Sequence, residues 1–194
     1  MRIGRVEISP GFLFLGAWLN YADHQGIFWS TMFSCAVHEV CHLCMLHLLH
    51  IPVRRVCITA VGAEICVDSG MSYRGEMAAA LAGPLGNFLL AWTASRFPGG
   101  ELLAGVNLAL GMFNLIPVGR LDGGRFLHCG LSVLMGPERG EWVSRQLSCL
   151  CLLGLCLTGI RSFCRFGNLT MPLIVLWMLY SFQNIGENRK KRTK

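Results

Sequence analysis

Long apolar runs joined by short polar connections are the feature that most limits the folds open to this chain. Of its 194 residues, 53% are hydrophobic and only 14% are charged, whereas soluble domains average about 25% charged residues. Several of the runs approach or exceed the roughly 20 helical residues that cross a bilayer. The sequence therefore predicts a polytopic membrane protein in contact with the lipid bilayer.

The apolar runs predict an all-α membrane fold with about six transmembrane helices. A polar connection is predicted between the fourth and fifth of them, at residues 136–145. The fourth run is interrupted at residues 114–124, where Asn, Pro, Gly and Asp residues predict a broken helix. The predicted helices cover residues 10–21, 27–49, 73–97, 101–134, 146–160 and 169–182.

A membrane-associated β-hairpin is predicted between the second and third helices. From Val53 to Asp68 the apolar residues alternate, and the alternation is punctuated at Val61-Gly62-Ala63, which is typical of two strands and a turn. Bare strand edges cannot face lipid, so we expect the hairpin at the interface or against protein around a cavity. Such an edge can hold an extended peptide by strand addition. Residues 1–8 are predicted to be a short extended lead-in.

The distribution of charge predicts topology and excludes one class of partner. The formal net charge is +6, and most basic residues fall in the predicted connections and the tail. With six spans, the positive-inside rule places both termini and the hairpin in the cytoplasm. Nucleic acid is excluded as a partner, because its binding would need a basic face on a soluble module. The predicted organisation is one transmembrane domain at residues 1–186, followed by a basic cytoplasmic tail at residues 187–194.

The second predicted helix carries an H-E-x-x-H pattern, His38-Glu39-Val40-Cys41-His42. Residues four apart lie on one face of a helix, so His38 and His42 can direct two imidazoles at one metal ion. Glu39 lies about 100° round the helix from His38 and can reach a water molecule at that ion without being a ligand. The pattern is typical of zinc peptidases, in which the glutamate acts as general base.

A third metal ligand has to come from another part of the chain, because catalytic zinc generally has three protein ligands and one open position. Asp122 lies in the interrupted fourth run, where a carboxylate at lipid depth costs about 3 kcal/mol and so marks function. Coordination to a dication would offset that cost, which favours Asp122. Glu64 and Asp68 have a roughly suitable separation from the histidines but fall in the hairpin, and they remain alternatives.

Several separate stretches resemble the site-2 protease type of intramembrane zinc metalloprotease. The H-E-x-x-H pattern matches that family's metal helix, and Asn114-x-x-Pro117-x-x-x-Leu121-Asp122-Gly123-Gly124 resembles its second signature. Leu81-Ala82-Gly83-Pro84-x-x-Asn87 resembles a third signature on the intervening helix. Together with the hairpin, these stretches cover roughly residues 30–125 in the family's order.

The resemblance implies a zinc endopeptidase that cleaves a membrane-embedded or membrane-associated protein substrate in regulated intramembrane proteolysis. It implies Zn²⁺ as the cofactor and the aspartate, Asp122, as the third ligand beside the two histidines. It further implies that Asn114, Gly62 and Asn87 bind the substrate. We expect a multi-pass protein of a bacterial cytoplasmic membrane, with a membrane regulatory protein as a further partner.

A non-proteolytic polytopic membrane protein is the alternative interpretation. Broken helices also surround midplane ion sites in transporters, but an ion or solute transporter predicts repeated halves, which this sequence does not show. An inactive scaffold with the same fold is disfavoured, since Glu39 and all three proposed ligands are present.

Overall fold

The structure, a computed structural model, describes most of the chain up to Gly167. It covers residues 2–3, 6–23, 26–59, 62–67, 70–119 and 121–167, with positions 172, 175, 176, 178 and 179. The predicted basic tail lies outside the described residues, and so does most of the sixth predicted helix. The chain forms two compact units, Met1–Phe113 and Asn114–Lys194, and each is described by itself.

The first unit combines a small sheet with helices, and the predicted hairpin is confirmed in it. Two strands of the sheet pair antiparallel on either side of a turn between the second and third helices. The strands are β1 (Arg2–Ile3), β2 (Val6–Ile8), β3 (Val53–Thr59) and β4 (Gly62–Val67). The helices are α1 (Pro10–Ala22), α2 (Ile27–Leu48), α3 (Tyr73–Ala94) and α4 (Glu101–Asn114), the last of which ends at the boundary with the second unit.

The N-terminal lead-in is part of the sheet rather than a separate extended segment. The strand order is β1-β2-β3-β4, and β2 lies parallel to β3 with Glu7 opposite Cys57. The Arg55 guanidinium lies 3.3 Å from the Glu7 carboxylate, which raises the pKa of Arg55 by its charge and its hydrogen bond. Because β3 is paired on both sides, β4 forms the outer edge of the hairpin among the described residues.

Local capping signals set the ends of the two helices that build the site. The Phe28 N–H donates to Asp23 Oδ2 at 2.8 Å, just ahead of the first hydrogen-bonded turn of α2. Pro52 follows the end of α2, where it cannot continue the helix. Ser72 is the N-cap of α3, and its hydroxyl accepts from the Gly75 N–H at 3.1 Å.

Helix α3 has its large apolar side chains outside and its small residues inside. Leu85, Leu89 and Trp92 are exposed, at the spacing of one helix face. This is the reverse of a helix in a water-soluble protein, and small residues are what allow helices to approach closely in lipid. The buried residues of α3 are Gly75, Ala79, Ala80, Ala82, Gly83, Pro84, Asn87, Ala91 and Ala94.

The second unit contains α5 (Asp122–Met135) and α6 (Pro137–Phe166). The interruption predicted in the fourth apolar run is confirmed, because α4 ends at Asn114 and the next helix begins only at Asp122. The polar connection predicted at residues 136–145 is wrong. Only Gly136, with φ of 87°, separates α5 from α6, and Pro137 at the first helical position begins a helix that continues through the polar residues.

Two helices of the described chain are long and apolar enough to cross a membrane. They are α3 and the Pro137–Arg165 part of α6. On α6, Leu150, Leu153 and Leu157 are all exposed, so the apolar surface continues along that helix. These features agree with the predicted membrane protein, whereas the number of six spans and the membrane position of the hairpin stay predictions.

Candidate metal centre

One face of α2 is buried, and it carries the two histidines of the H-E-x-x-H pattern. The buried residues of the helix are Ser34, His38, His42 and Leu46, at intervals of four. The two imidazole rings meet edge to face, with centroids 4.6 Å apart. Their Nε2 atoms lie 3.0 Å from one another, so both histidines present a nitrogen to the same point, as the spacing predicts.

Helix α3 packs directly against both imidazole rings. Gly83 permits this close contact because it has no side chain. A Cβ at this position would overlap His42 Nε2 and would lie 2.6 Å from His38 Cε1. Real Cβ atoms do not approach ring atoms this closely, so any side chain at position 83 would displace the imidazoles.

Oxygen atoms of α3 hold the far nitrogens of both rings. His42 Nδ1 lies 2.6 Å from the Ala79 carbonyl oxygen, and His38 Nδ1 lies 2.5 Å from Asn87 Oδ1. Carbonyl and amide oxygens only accept hydrogen bonds, so each Nδ1 must be the donor. An imidazole whose single proton is on Nδ1 keeps the Nε2 lone pair for a ligand, which is the usual arrangement of metal-binding histidines.

The nitrogen pair has the chemistry and the separation of a zinc site. Two imidazoles in this tautomer direct two Nε2 lone pairs at one point, an arrangement that a shared cation stabilises. Zinc–nitrogen bonds of about 2.0–2.1 Å in a tetrahedral site place two nitrogens about 3.3 Å apart. The observed 3.0 Å between the Nε2 atoms is close to that spacing, so His38 and His42 fit a zinc ion.

Glu39 and His47 lie where the helical spacing of α2 puts them, whereas His50 lies beyond the end of that helix at Leu48. Glu39 directly follows His38 and is half-buried. His47 and His50 are exposed and do not belong to the buried face. The structure thus separates two buried histidines from two exposed ones, while the role of Glu39 as general base stays a prediction.

Asp122 lies in the second unit, buried in the first turn of α5. A carboxylate is favoured at this position because the N-terminus of a helix carries partial positive charge. Arg125 Nη1 lies 3.9 Å from Asp122 Oδ1, one turn along the same helix. Asp122 therefore has a cation beside it in its own helix.

The backbone that carries Asp122 is packed tightly within the second unit. A Cβ at Gly123 would overlap the Leu115 carbonyl group, so the first turn of α5 lies directly on the preceding loop. The Ser148 hydroxyl of α6 donates to the Pro117 carbonyl oxygen at 2.9 Å, and Val118 is buried. These contacts fix the loop that leads into Asp122.

Three buried residues of the described chain could serve as metal ligands, namely His38 and His42 in the first unit and Asp122 in the second. The alternatives Glu64 and Asp68 are not tested, because Asp68 and the Glu64 side chain lie outside what the structure describes. Asp122 as third ligand stays a prediction.

The three residues predicted to bind substrate occupy different surroundings. Asn114 is the last residue of α4 and is half-buried. Gly62 begins β4 and pairs with Thr59. Asn87 is fully buried and contacts His38 directly. Binding of substrate by these residues is untested, and the hydrogen bonds of Asn87 support the different role proposed below.

Three residues near the histidines were assigned no role by the sequence motifs. Gly83 shapes the contact of α3 with the rings, while Ser34 and Asn107 are buried polar residues hydrogen-bonded to each other. A signal for Asn107 was present, since it is an amide within the apolar run of α4. Its contact with α2 depends on tertiary packing, which the local pattern does not contain.

Comparison with known proteins links this geometry to a family. No family model matches the chain. A zinc metalloprotease from Methanocaldococcus jannaschii is 25% identical over 173 residues, an alignment covering 81% of this chain and 50% of that protein. The chain thus spans about half the length of this curated relative.

A solved structure shares the fold over almost the whole chain. It is the site-2 protease from Methanocaldococcus jannaschii, which matches with a TM-score of 0.70 and 22% identity, and the match covers 95% of this chain and 92% of that one. The sequence is thus similar to a zinc metalloprotease and the fold to a site-2 protease, in agreement with the resemblance that the motifs carry.

Proposed function

We propose that this protein is an intramembrane zinc endopeptidase. The observation that carries the proposal is the buried pair of imidazoles on α2, whose Nε2 atoms lie 3.0 Å apart while both Nδ1 atoms face oxygens of α3. Two Nε2 lone pairs directed at one point are the arrangement that a shared zinc ion requires. The similarity to a zinc metalloprotease supports the same assignment.

The proposed metal centre is zinc held by His38, His42 and Asp122. Three protein ligands are what a catalytic zinc site requires, with a further position left for water or substrate. The burial of Asp122 in an apolar chain supports the choice, because a carboxylate removed from water is stabilised by a dication.

The proposed chemistry is hydrolysis of a peptide bond. Bound zinc supplies a Lewis acid that activates water and stabilises negative charge on the scissile carbonyl oxygen. Glu39 accepts the proton of the attacking water as general base, and it returns that proton to the leaving amine as general acid. Glu39 suits this role because it lies next to a metal-binding histidine on α2 yet points about 100° away from it.

The proposed substrate is a transmembrane or membrane-associated protein segment. Its scissile bond must be unwound, since a helix keeps its carbonyl groups in backbone hydrogen bonds. The outer edge of β4, which begins at Gly62, is suited to hold such an extended segment by strand addition. Asn114 is proposed to hold the unwound backbone through its side-chain amide.

The proposed setting is a bacterial cytoplasmic membrane. The proposal includes about six spans, both termini in the cytoplasm, one protease domain at residues 1–186 and a membrane regulatory protein as partner. The charge pattern supports the orientation, because most basic residues fall on one side of a six-span topology.

Cleavage in reconstituted membranes tests the proposal. The zinc-loaded full chain is placed in liposomes with a panel of transmembrane segments, and the products are identified by mass spectrometry. The expected result is cleavage within the apolar part of at least one segment, and its loss in the His42→Ala variant. If the wild type, shown to contain zinc, cleaves none of the panel beyond the level of this variant, the protease assignment is overturned.

A further inference from the structure

A continuous set of buried polar groups crosses three helices of the first unit behind His38. Ser34 on α2, Asn87 on α3 and Asn107 on α4 are each 0% exposed. Removing an amide or hydroxyl from water is unfavourable unless every group is hydrogen-bonded. The hydrogen bonds of these three side chains therefore explain how they are tolerated in the apolar interior of the unit.

The hydrogen bonds of Asn107 fix which way its amide faces. Asn107 Nδ2 donates to the Leu103 carbonyl at 2.8 Å and to Ser34 Oγ at 2.7 Å. The Ser34 hydroxyl in turn donates to the Ser30 carbonyl at 2.6 Å. Because a backbone carbonyl only accepts, the nitrogen of Asn107 must lie on this side, and its oxygen faces Asn87.

The orientation of the Asn107 amide fixes that of the Asn87 amide, which in turn fixes the proton position on the His38 ring. Asn87 Nδ2 donates to Asn107 Oδ1 at 2.7 Å and to the Ser34 carbonyl at 3.3 Å. Both amide hydrogens of Asn87 are thereby used, so the atom that faces His38 Nδ1 at 2.5 Å is the oxygen. That oxygen requires a proton on Nδ1, which leaves Nε2 with its lone pair.

We propose that Asn107 is a positioning residue which, through Asn87, holds His38 in the tautomer that can bind the metal, with Ser34 as the anchor of the network. A reversed Asn87 amide would donate to His38 Nδ1 and place the imidazole proton on Nε2. That proton would block the nitrogen that coordinates metal. Asn107 opposes the reversal because its oxygen accepts from the Asn87 amide nitrogen at 2.7 Å, a shorter contact than the 3.3 Å from that nitrogen to the Ser34 carbonyl.

His42 provides an internal control, because its Nδ1 donates to the Ala79 backbone carbonyl rather than to this network. The part of the inference that concerns zinc affinity rests on the proposed function. The tautomer of His38 can be measured in metal-free protein, so failure of the inference is distinguishable from failure of the protease assignment.

The test replaces Asn107 by Leu, which has a similar shape and no hydrogen-bonding groups. Histidine ¹⁵N signals of the metal-free full chain in detergent report which ring nitrogen carries the proton. In Asn107→Leu the His38 signals are expected to move toward the Nε2-protonated tautomer, while His42 is expected to keep its proton on Nδ1, which donates to the Ala79 carbonyl. The dissociation constant for zinc is expected to rise about 10- to 100-fold, as for other residues that support metal ligands.

If Asn107→Leu does not fold, Ser34→Ala provides a second test of the network, with Ser132→Ala as its matched control. Ser34 and Ser132 are both buried, and each donates its hydroxyl to the carbonyl four residues earlier in its own helix. Only Ser34 also accepts from Asn107. Ser34→Ala should shift the His38 signals and weaken zinc binding, and Ser132→Ala should do neither.

Unchanged His38 signals and unchanged zinc affinity in Ser34→Ala, with the same result in any folded Asn107→Leu, would overturn the inference. Movement of the His42 proton from Nδ1 to Nε2 along with that of His38 would also overturn it, since the Ala79 carbonyl that holds His42 Nδ1 is not part of the network. A wild type with the Nδ1-protonated His38 but no affinity for zinc would leave the positioning of the ring intact and overturn its role in metal binding.

Discussion

His38 Nε2 and His42 Nε2 lie 3.0 Å apart, and each ring is held from behind by an oxygen of α3, from Asn87 for His38 and from Ala79 for His42. The two histidines come from one helix, but their protonation is set by another. Helix α3 therefore does more than pack against α2. Its oxygens orient both rings so that each directs Nε2 at the same point.

Replacing Glu39 by Gln should separate metal binding from catalysis. The amide keeps the size of the side chain but cannot accept a proton, so turnover of a membrane substrate is expected to fall at least about 100-fold. Zinc content per chain should stay at the wild-type value, because Glu39 is not a proposed ligand. Zinc content and cleavage rate are measured on the same preparation. Loss of zinc in Glu39→Gln would identify Glu39 as a ligand and contradict its assigned role.

Replacing Gly83 by Ala should weaken zinc binding through the rings. The added methyl group would overlap His42 Nε2, so either the imidazoles or α3 must move, and an overpacked site of this kind costs about 1–3 kcal/mol. The matched control is Gly105→Ala, a helical position with nothing within 4 Å of the added Cβ. Zinc affinity and thermal stability are compared in the two variants. Equal affinities would show that α3 does not constrain the histidines.

Replacing Arg125 by Gln should strengthen zinc binding slightly. The guanidinium lies 3.9 Å from Asp122 Oδ1, and a nearby cation opposes the arrival of a dication at that carboxylate. Because Arg125 is 38% exposed, solvent screening limits the gain to about a twofold to fivefold lower dissociation constant. Competition with a zinc-binding dye measures it, with Arg139→Gln on α6 as the charge-matched control. Weaker binding in Arg125→Gln would mean that Arg125 holds Asp122 in place.

Replacing Leu153 by Arg tests whether the exposed face of α6 lies in lipid. Leu153 is exposed at mid-helix, where an arginine facing water would be nearly neutral but one facing lipid costs about 3 kcal/mol. The yield of folded chain from the membrane fraction is expected to drop sharply, whereas Leu153→Phe should be tolerated. Equal yields of the two variants would argue that this face is not in the bilayer.

The parts of the site that depend on local spacing could be predicted from the sequence. The interval of four between His38 and His42 places both on one helix face, and Pro52 ends that helix where the prediction placed its end, within one residue. The interruption between Asn114 and Asp122 was equally visible, because Asn, Pro and Gly residues together within a short stretch favour a break in a helix. These features need no knowledge of distant contacts.

The parts that depend on tertiary packing could not be predicted. Ser34 and Asn107 are 73 positions apart, so their hydrogen bond leaves no local trace beyond a polar residue in an apolar run. The lead-in strand β2 pairs with β3 across 50 positions, as between Glu7 and Cys57. Polarity at residues 136–145 suggested a loop, but an exposed helix surface accepts polar residues equally well, so composition could not distinguish the two.

The zinc content of the detergent-purified full chain, measured for the wild type and for Asp122→Ala after incubation with zinc, tests the central claim most directly. It requires no substrate. The account predicts close to one zinc per wild-type chain and a large fall in the variant, because two histidines alone make an incomplete site. Full retention of zinc in Asp122→Ala would move the third ligand elsewhere, with Glu64 and Asp68 next to test. A wild type that binds no zinc would contradict the account as a whole.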